Sequence, residues 1–393
     1  MANPQLLIEQ LKLLVESPDT YGTEEQRHEI KKLGRLASNS LEAPFETMQR
    51  LVYSPLPLVA ARIGQDCHLF STLAKGQGQC PTDLTTLSCA SGLEPRILES
   101  IMDYLCTQGM ALEEEPHRYL PTPMSRLLLV PLFGDAVTHF HDNCLPGFAA
   151  LHRALKEPRQ ASLTAFKLGQ HTDEDFYTWM ETHPANQAAF HRFMEAQFAS
   201  LSTWLDVFDF KSELGSDAGP TDVMIVDVGG GNGSQCAGLR RAWPAMPGKM
   251  ILQDKPQVLE RALNVEGMEK MGHDFMIEQP VKHKDARAYY FRQIMHNYDD
   301  EICITILKAH LKAMGKDTVI LIDDKVLPDE KPPADFPGVE YTAALSLAMK
   351  VMFDAMERRE THWRDLLRRA GLVIQDIRKF TKFDDAIIVA KKA

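Results

Sequence analysis

Residues 224–233 hold the tightest constraint on what this chain can become: Met224-Ile225-Val226-Asp227-Val228, then Gly229-Gly230-Gly231-Asn232-Gly233. An apolar, β-branched run carries an acid near its end. A glycine-rich turn follows, and then a segment able to start a helix. Glycines let the backbone bend sharply and let a ligand come close to it. The helix beyond the turn aims its unpaired N–H groups into the same space. A strand, a tight turn and a helix in that order open an α/β sheet.

A second unit follows. Lys249-Met250-Ile251-Leu252-Gln253-Asp254 is another short apolar run ending in an acid. In a doubly wound sheet such an acid can hydrogen-bond both ribose hydroxyls of an adenosine. A neutral side chain is a poorer acceptor. Pro256 then suits the first position of a helix. The glycine spacing excludes a dinucleotide fingerprint, which needs G-x-G-x-x-G. From Gly229 and Gly231 the last glycine is replaced by Ser234, and from Gly231 and Gly233 by Cys236. The pattern D-x-G-G-G-x-G instead resembles motif I of S-adenosylmethionine (SAM)-dependent methyltransferases, where the turn holds the amino acid part of the cofactor.

Length and charge narrow the partners. A chain of 393 residues suggests two or three domains. The net charge of −11 argues against nucleic acid, and no apolar run is long enough to span a bilayer. The N-terminus carries Glu9, Lys12 and Glu16 among its leucines, unlike a secretory signal. Seven cysteines without a C-x-x-C pair read as reduced thiols in a cytoplasmic protein.

Residues 4–51 have helical periodicity, with a polar break from Ser17 to Thr23. Thr82–Leu87, a turn at Ser91-Gly92, Pro95–Tyr104 and a hairpin within Gly109–Leu120 together resemble a winged helix. Its second helix and lead-in carry Glu94, Glu99 and Asp103 against Arg96, the wrong balance for phosphate. A dimerisation role is favoured over a SAM-binding DNA regulator.

The span Phe140–Phe210 reads as helical and aromatic, with Phe176 and Phe198 among its rings. Most of these rings pack, and some can wall a pocket for a flat substrate. His139 and His141 share a face only on a strand, so no metal pair is expected, although His141 can still face a substrate. After a linker at Glu213–Asp222, strands are expected at Met224–Val228, Met250–Gln253, Ala288–Phe291, Val319–Ile322, Leu372–Ile377 and Ala386–Ala390, with a further strand ending at His273-Asp274-Phe275.

Arg292-Gln293-Ile294-Met295-His296-Asn297-Tyr298 follows the strand at 288–291, on the sheet side where ligands bind in such folds. A histidine there can take a phenol proton, because its pKa lies near working pH. With these residues in view, nearly the whole chain resembles the plant and fungal small-molecule O-methyltransferases. The resemblance implies an α/β fold: a Rossmann-like SAM domain (213–393), a helical connector (136–212) and an N-terminal winged-helix dimerisation domain (1–135). It implies His296 as base, with Asp324 and Glu357 orienting it. For SAM it implies Asp227, Gly229, Gly231, Asp254, Asp274, Phe275 and Arg292. For the acceptor it implies the helix carrying Met349, Met352 and Phe353, with Met295, Lys325, Phe176 and His141 nearby. It implies a homodimer acting on a phenolic or enolic, polyketide-type secondary metabolite. No metal is expected, since no ligand set is legible near the site.

The sequence departs from the family at Asn297, Tyr298, Asp324, Arg292 and Lys325. A few fungal proteins of this fold bind SAM yet catalyse dehydrations or pericyclic cyclisations of polyketide-derived pyridones. That chemistry is the alternative, and retention of His296 favours methyl transfer.

Overall fold

The strand Val223–Val228 is buried at all six positions. It lies parallel between Lys249–Asp254 on one side and Ala286–Arg292 on the other. A strand covered on both faces reads as a continuous apolar run instead of an alternating one, which is the pattern of its sequence. The computed structural model describes residues 3–17, 22–75, 80–156, 163–197, 202–282, 286–336 and 338–393. Phe198 and most of the expected break at 17–23 lie outside them.

In chain order the strands are β1 (Thr82–Asp83), β2 (Leu112–Glu115), β3 (Arg118–Leu120), β4 (Val223–Val228), β5 (Lys249–Asp254), β6 (Met268–Gly272), β7 (Ala286–Arg292), β8 (Val319–Leu327), β9 (Arg358–Arg359), β10 (Leu372–Lys379) and β11 (Asp385–Lys392). The large sheet has the order β10-β11-β8-β7-β4-β5-β6, and β9 pairs with β8. Pairing is parallel from β8 through β6 and antiparallel at β10, β11 and β8. After β6 the chain returns to the other side of β4. The order therefore reverses between β4 and β7, and ligands of open α/β sheets bind beyond such a reversal.

Every expected strand is present. β8 runs longer than the expected Val319–Ile322 because Asp323, Asp324 and Lys325 remain in the ladder, buried. Each pairs antiparallel with β11, and the charges hide the strand from an apolar reading.

By contacts the chain divides into two compact units, 1–59 and 60–393. The second runs through both expected boundaries, 135/136 and 212/213. In the first unit, helices Pro4–Glu16, Glu24–Leu41 and Pro44–Val52 have no buried residue. Their starts are well specified: Asn3 accepts from Gln5 N, and Thr23 and Gln26 form a reciprocal cap.

In the second unit, helices Leu84–Ser91 and Pro95–Thr107 lie between β1 and the hairpin β2–β3, and the three strands join in the small sheet β1-β3-β2, the helix–helix–hairpin order of a winged helix. Gly92 ends the first helix at φ +71°, the left-handed cap that glycine adopts at least cost. The helical connector follows. Between Pro131–Thr138 and Leu145–Ala154, residues His139–Cys144 open into a π-helical turn. Phe166, Phe176, Trp179, Val351 and Met352 form one buried cluster, so the connector packs on the helix Val339–Phe353.

Candidate active site

The turn after β4 is built from glycines that each do something different. Gly229 has φ +67°, and a Cβ on it would lie 2.7 Å from Ile294 Cδ1. A Cβ on Gly230 would lie 2.4 Å from Asp227 Cγ, whereas Gly231 (φ +60°) meets open space. Gly229 N–H donates to Gln253 O at 2.8 Å, and Gly231 N–H donates to Asp254 Oδ2 at 2.9 Å. Asp254 also accepts from Lys255 N at 2.7 Å. Burial raises the pKa of Asp254, against the pull of those donors. Phe275 Cε1 lies 3.5 Å from the Cβ position of Gly229, and its ring stands against Tyr298 at 6.0 Å. Asp274, exposed two residues beyond β6, accepts from Met276 N at 2.9 Å. Arg292 Nε stands 3.4 Å from Asp323 Oδ2, which accepts the Tyr290 hydroxyl at 2.5 Å. Burial pushes the Asp323 carboxyl up to about 6.

The structure thus gathers Gly229, Gly231, Asp254 and Phe275 at the sheet reversal. The open side of Gly231 and the acceptor oxygens of Asp254 fit the polar parts of an adenosine-bearing cofactor. Asp227 corrects the expectation. It is 0% exposed beneath Gly230, so it supports the turn from below and does not face a ligand. Cys236 Sγ donates to its Oδ2 at 3.6 Å, and Oδ1 has no partner among the described residues. Burial pushes its pKa up to about 7.

His296 lies in the single 3-10 turn Met295–Asn297 that follows β7. Its Nδ1 is 2.9 Å from Glu357 Oε1 and 3.7 Å from Asp324 Oδ1. Asp324 is 0% exposed on β8, and neither of its oxygens has a hydrogen-bond partner among the described residues. A carboxylate only accepts, so Nδ1 carries the proton toward Glu357 and Nε2 keeps the lone pair. Burial lowers the His296 pKa, but Glu357 and Asp324 outweigh it and the net shift is upward. Burial also raises Asp324. Gln293, just before the turn, holds φ +53°, a conformation that needs support from its surroundings.

A ligand set does exist here, contrary to expectation. Among the described residues, ligand atoms of His296, Asp324 and Glu357 lie within 4.8 Å of one another. The 2.9 Å contact is a hydrogen-bond length, so a proton already occupies the place between His296 and Glu357.

Two further assignments change. Met295 is 0% exposed in the core against the sheet, so its side chain cannot line an acceptor pocket. Lys325 is 3% exposed, and its ammonium donates to Asp385 Oδ1 and Phe383 O, each at 2.8 Å. It ties β8 to β11 instead of offering a free cation. Phe176 (1%) and Met352 (4%) are packed, while Met349 and Phe353 are half-buried. Phe353 stacks on Tyr177 at 5.6 Å. His141 Nδ1 meets Asp142 Oδ1 at 2.6 Å, and Asp142 accepts from Arg62. His139 belongs to the core, where burial lowers its pKa to about 4. A cleft of about 400 Å³ at Arg62, Gln65, Leu129, Asp135, Thr138 and Arg192 is lined by none of the expected site residues.

Sequence reading missed Tyr290 and Asp323, which brace Arg292, and it missed the side chain of Arg358. Only the adjacency of Arg358 to Glu357 could have signalled it.

Comparison with known proteins gives a consistent picture. A family model described as O-methyltransferase domain matches residues 153–373. The 16-O-methyltransferase bsc6 of Alternaria brassicicola is 32% identical over 363 residues, 90% of this chain and 88% of its own length. The solved structure of LepI in complex with SAM superposes with a TM-score of 0.84 at 28% identity, covering 100% of both chains. A structure described as a pericyclic reaction enzyme gives 0.83 at 28% identity, covering 99% of this chain and 100% of its own.

Proposed function

Because the chain belongs to the O-methyltransferase domain family, we propose that it transfers a methyl group from SAM to an oxygen of a phenolic or enolic, polyketide-type secondary metabolite, with His296 as general base. The observation that carries the reading is the 2.9 Å contact of His296 Nδ1 with Glu357. It fixes the tautomer whose Nε2 can accept a proton, and it stabilises the imidazolium that forms.

Gly229, Gly231, Asp254, Asp274, Phe275 and Arg292 would hold the cofactor. Asp254 would accept from its ribose hydroxyls, Gly231 would leave room for its amino acid part, and Phe275 flanks the turn. When bound, SAM supplies a methyl group already activated on a sulfonium. The chain's own task is then to align the acceptor hydroxyl and remove its proton at Nε2. Glu357 and Asp324 stabilise the charge that remains on the ring. Met349 and Phe353, both half-buried, the latter stacked on Tyr177, wall the acceptor side.

A second reading is a SAM-binding pericyclase or dehydratase acting on a pyridone. The likeness to a pericyclic reaction enzyme favours it. The intact His296–Glu357 pair favours methyl transfer. Incubation with methyl-labelled SAM and a panel of phenols and hydroxypyridones separates the two. Label in the product supports the first reading. An isomerised or dehydrated acceptor without label supports the second and sinks the first.

A homodimer is part of the proposal. The three N-terminal helices expose Leu6 (52%), Leu13 (64%), Leu51 (71%) and many other apolar side chains, more than a solvated helix face carries. All seven cysteines are unpaired, which suits a cytoplasmic setting. No helix among the described residues is long and apolar enough to cross a membrane.

A further inference from the structure

We propose that Arg358 is the positioning residue for His296: its guanidinium clamps both ends of the turn that carries the imidazole. This deepens the reading of His296 as the base and rests on it.

Arg358 is 1% exposed, and its guanidinium faces the Trp363 ring at 5.4 Å. Its NH1 donates to Met295 O at 2.8 Å, and its NH2 donates to Tyr298 O at 2.7 Å. These two carbonyls bracket His296. Its Nε donates to Asp300 Oδ1 at 3.0 Å, and Asp300 Oδ2 in turn meets His362 Nε2 at 2.7 Å. The donors of one planar group are thus spread over two carbonyls and a carboxylate, and the plane is fixed by an indole.

The turn needs such a hold. It has three residues, too few to be stable by themselves. Its lead-in, Gln293, sits at φ +53°. One dipeptide therefore sets both partners of the base: Glu357 holds the ring, and Arg358 holds the backbone beneath it. Lysine cannot replace the clamp, because a single ammonium has no planar fork to span two carbonyls and a carboxylate.

The charge-conserving variant Arg358→Lys tests this without any acceptor. Protein labelled with ¹⁵N-histidine is titrated, and the His296 signal is identified by its loss in His296→Gln. In the wild type, the ring should titrate above the ordinary value of about 6.5, held up by Glu357 and Asp324. In Arg358→Lys the turn slackens, the contact with Glu357 lengthens, and the midpoint falls by about half a pH unit or more. SAM affinity, read by calorimetry, stays within about twofold of the wild type. A folded Arg358→Lys with the wild-type His296 midpoint overturns the proposal. If Arg358→Lys does not fold, Asp300→Asn takes its place, since it loosens the clamp from its more exposed end. The same downward displacement is expected, and an unchanged midpoint again overturns the proposal. Failure of the base assignment would look different: His296→Gln would keep its methyl transfer, whatever the titration of Arg358→Lys.

Discussion

His296 works among charges that pull in opposite directions. Burial disfavours its cation, while Glu357 and Asp324 favour it more strongly. Only the neutral ring accepts a proton. Activity should therefore be lost as pH falls through a midpoint above about 6.5, the ordinary histidine value. Glu357→Gln removes one of the raising charges. The midpoint should move down, and kcat should drop by about 10- to 100-fold. A pH–rate profile at saturating SAM reads both, and a midpoint that rises in Glu357→Gln contradicts the account.

Asp227 gives a prediction about stability. Its folded pKa is raised by burial to about 7, against about 3.9 in an unfolded chain. A raised folded pKa contributes stability below the unfolded value, and that contribution is lost as pH rises through the folded one. Asp227→Asn does not titrate. Its urea midpoint should therefore gain on the wild type's between about pH 5 and pH 8. A constant difference would mean that Asp227 is ionised in the fold.

The residue types at this site were legible in sequence, and their contacts were not. Asp227 and Lys325 look like ligand groups until burial shows each engaged within the fold. Met295 neighbours the base along the chain but turns into the core.

At the scale of elements, the turn after β4 separates fold from function. Gly230→Ala places a Cβ 2.4 Å from Asp227 Cγ, so the strand or the turn must shift. It should destabilise the protein by about 1–3 kcal/mol. Gly231→Ala meets open space at φ +60°, so it should cost about 1 kcal/mol of backbone strain. That Cβ would intrude on the space offered to the cofactor. SAM affinity should fall at least about tenfold while the protein stays folded. Thermal melts and calorimetry compare the two, and equal losses of stability would contradict this division.

The central strands β4, β5 and β7 were readable because a covered parallel strand is apolar nearly throughout. The length of β8 was not, because its last five residues are Asp323-Asp324-Lys325-Val326-Leu327. There, specific partners replace apolarity: Tyr290 for Asp323 and Asp385 for Lys325. The π-helical turn at His139–Cys144 was equally hidden, since one extra backbone residue leaves no compositional mark.

For the whole molecule, charge and exposed surface decide the partners. The winged-helix segment presents Glu94 as the cap of Pro95–Thr107, and the exposed β2 carries Glu113, Glu114 and Glu115. Phosphate is repelled from such a face. The N-terminal helices instead offer apolar stripes, and a second copy is the proposed cover. The full chain should sediment at about twice its 44.3 kDa. Charges placed at Leu11 and Leu33, 46% and 53% exposed, should shift it toward monomer. A wild-type monomer at micromolar concentration would contradict the dimer.

The central claim is that His296 removes the acceptor's proton during methyl transfer from SAM. The most direct test is the transfer rate of label from methyl-labelled SAM in the wild type and in His296→Ala, with SAM binding measured in parallel. The account predicts labelled product with the wild type, a rate about 100-fold or more lower in the variant, and SAM bound equally by both. Equal transfer rates would contradict it.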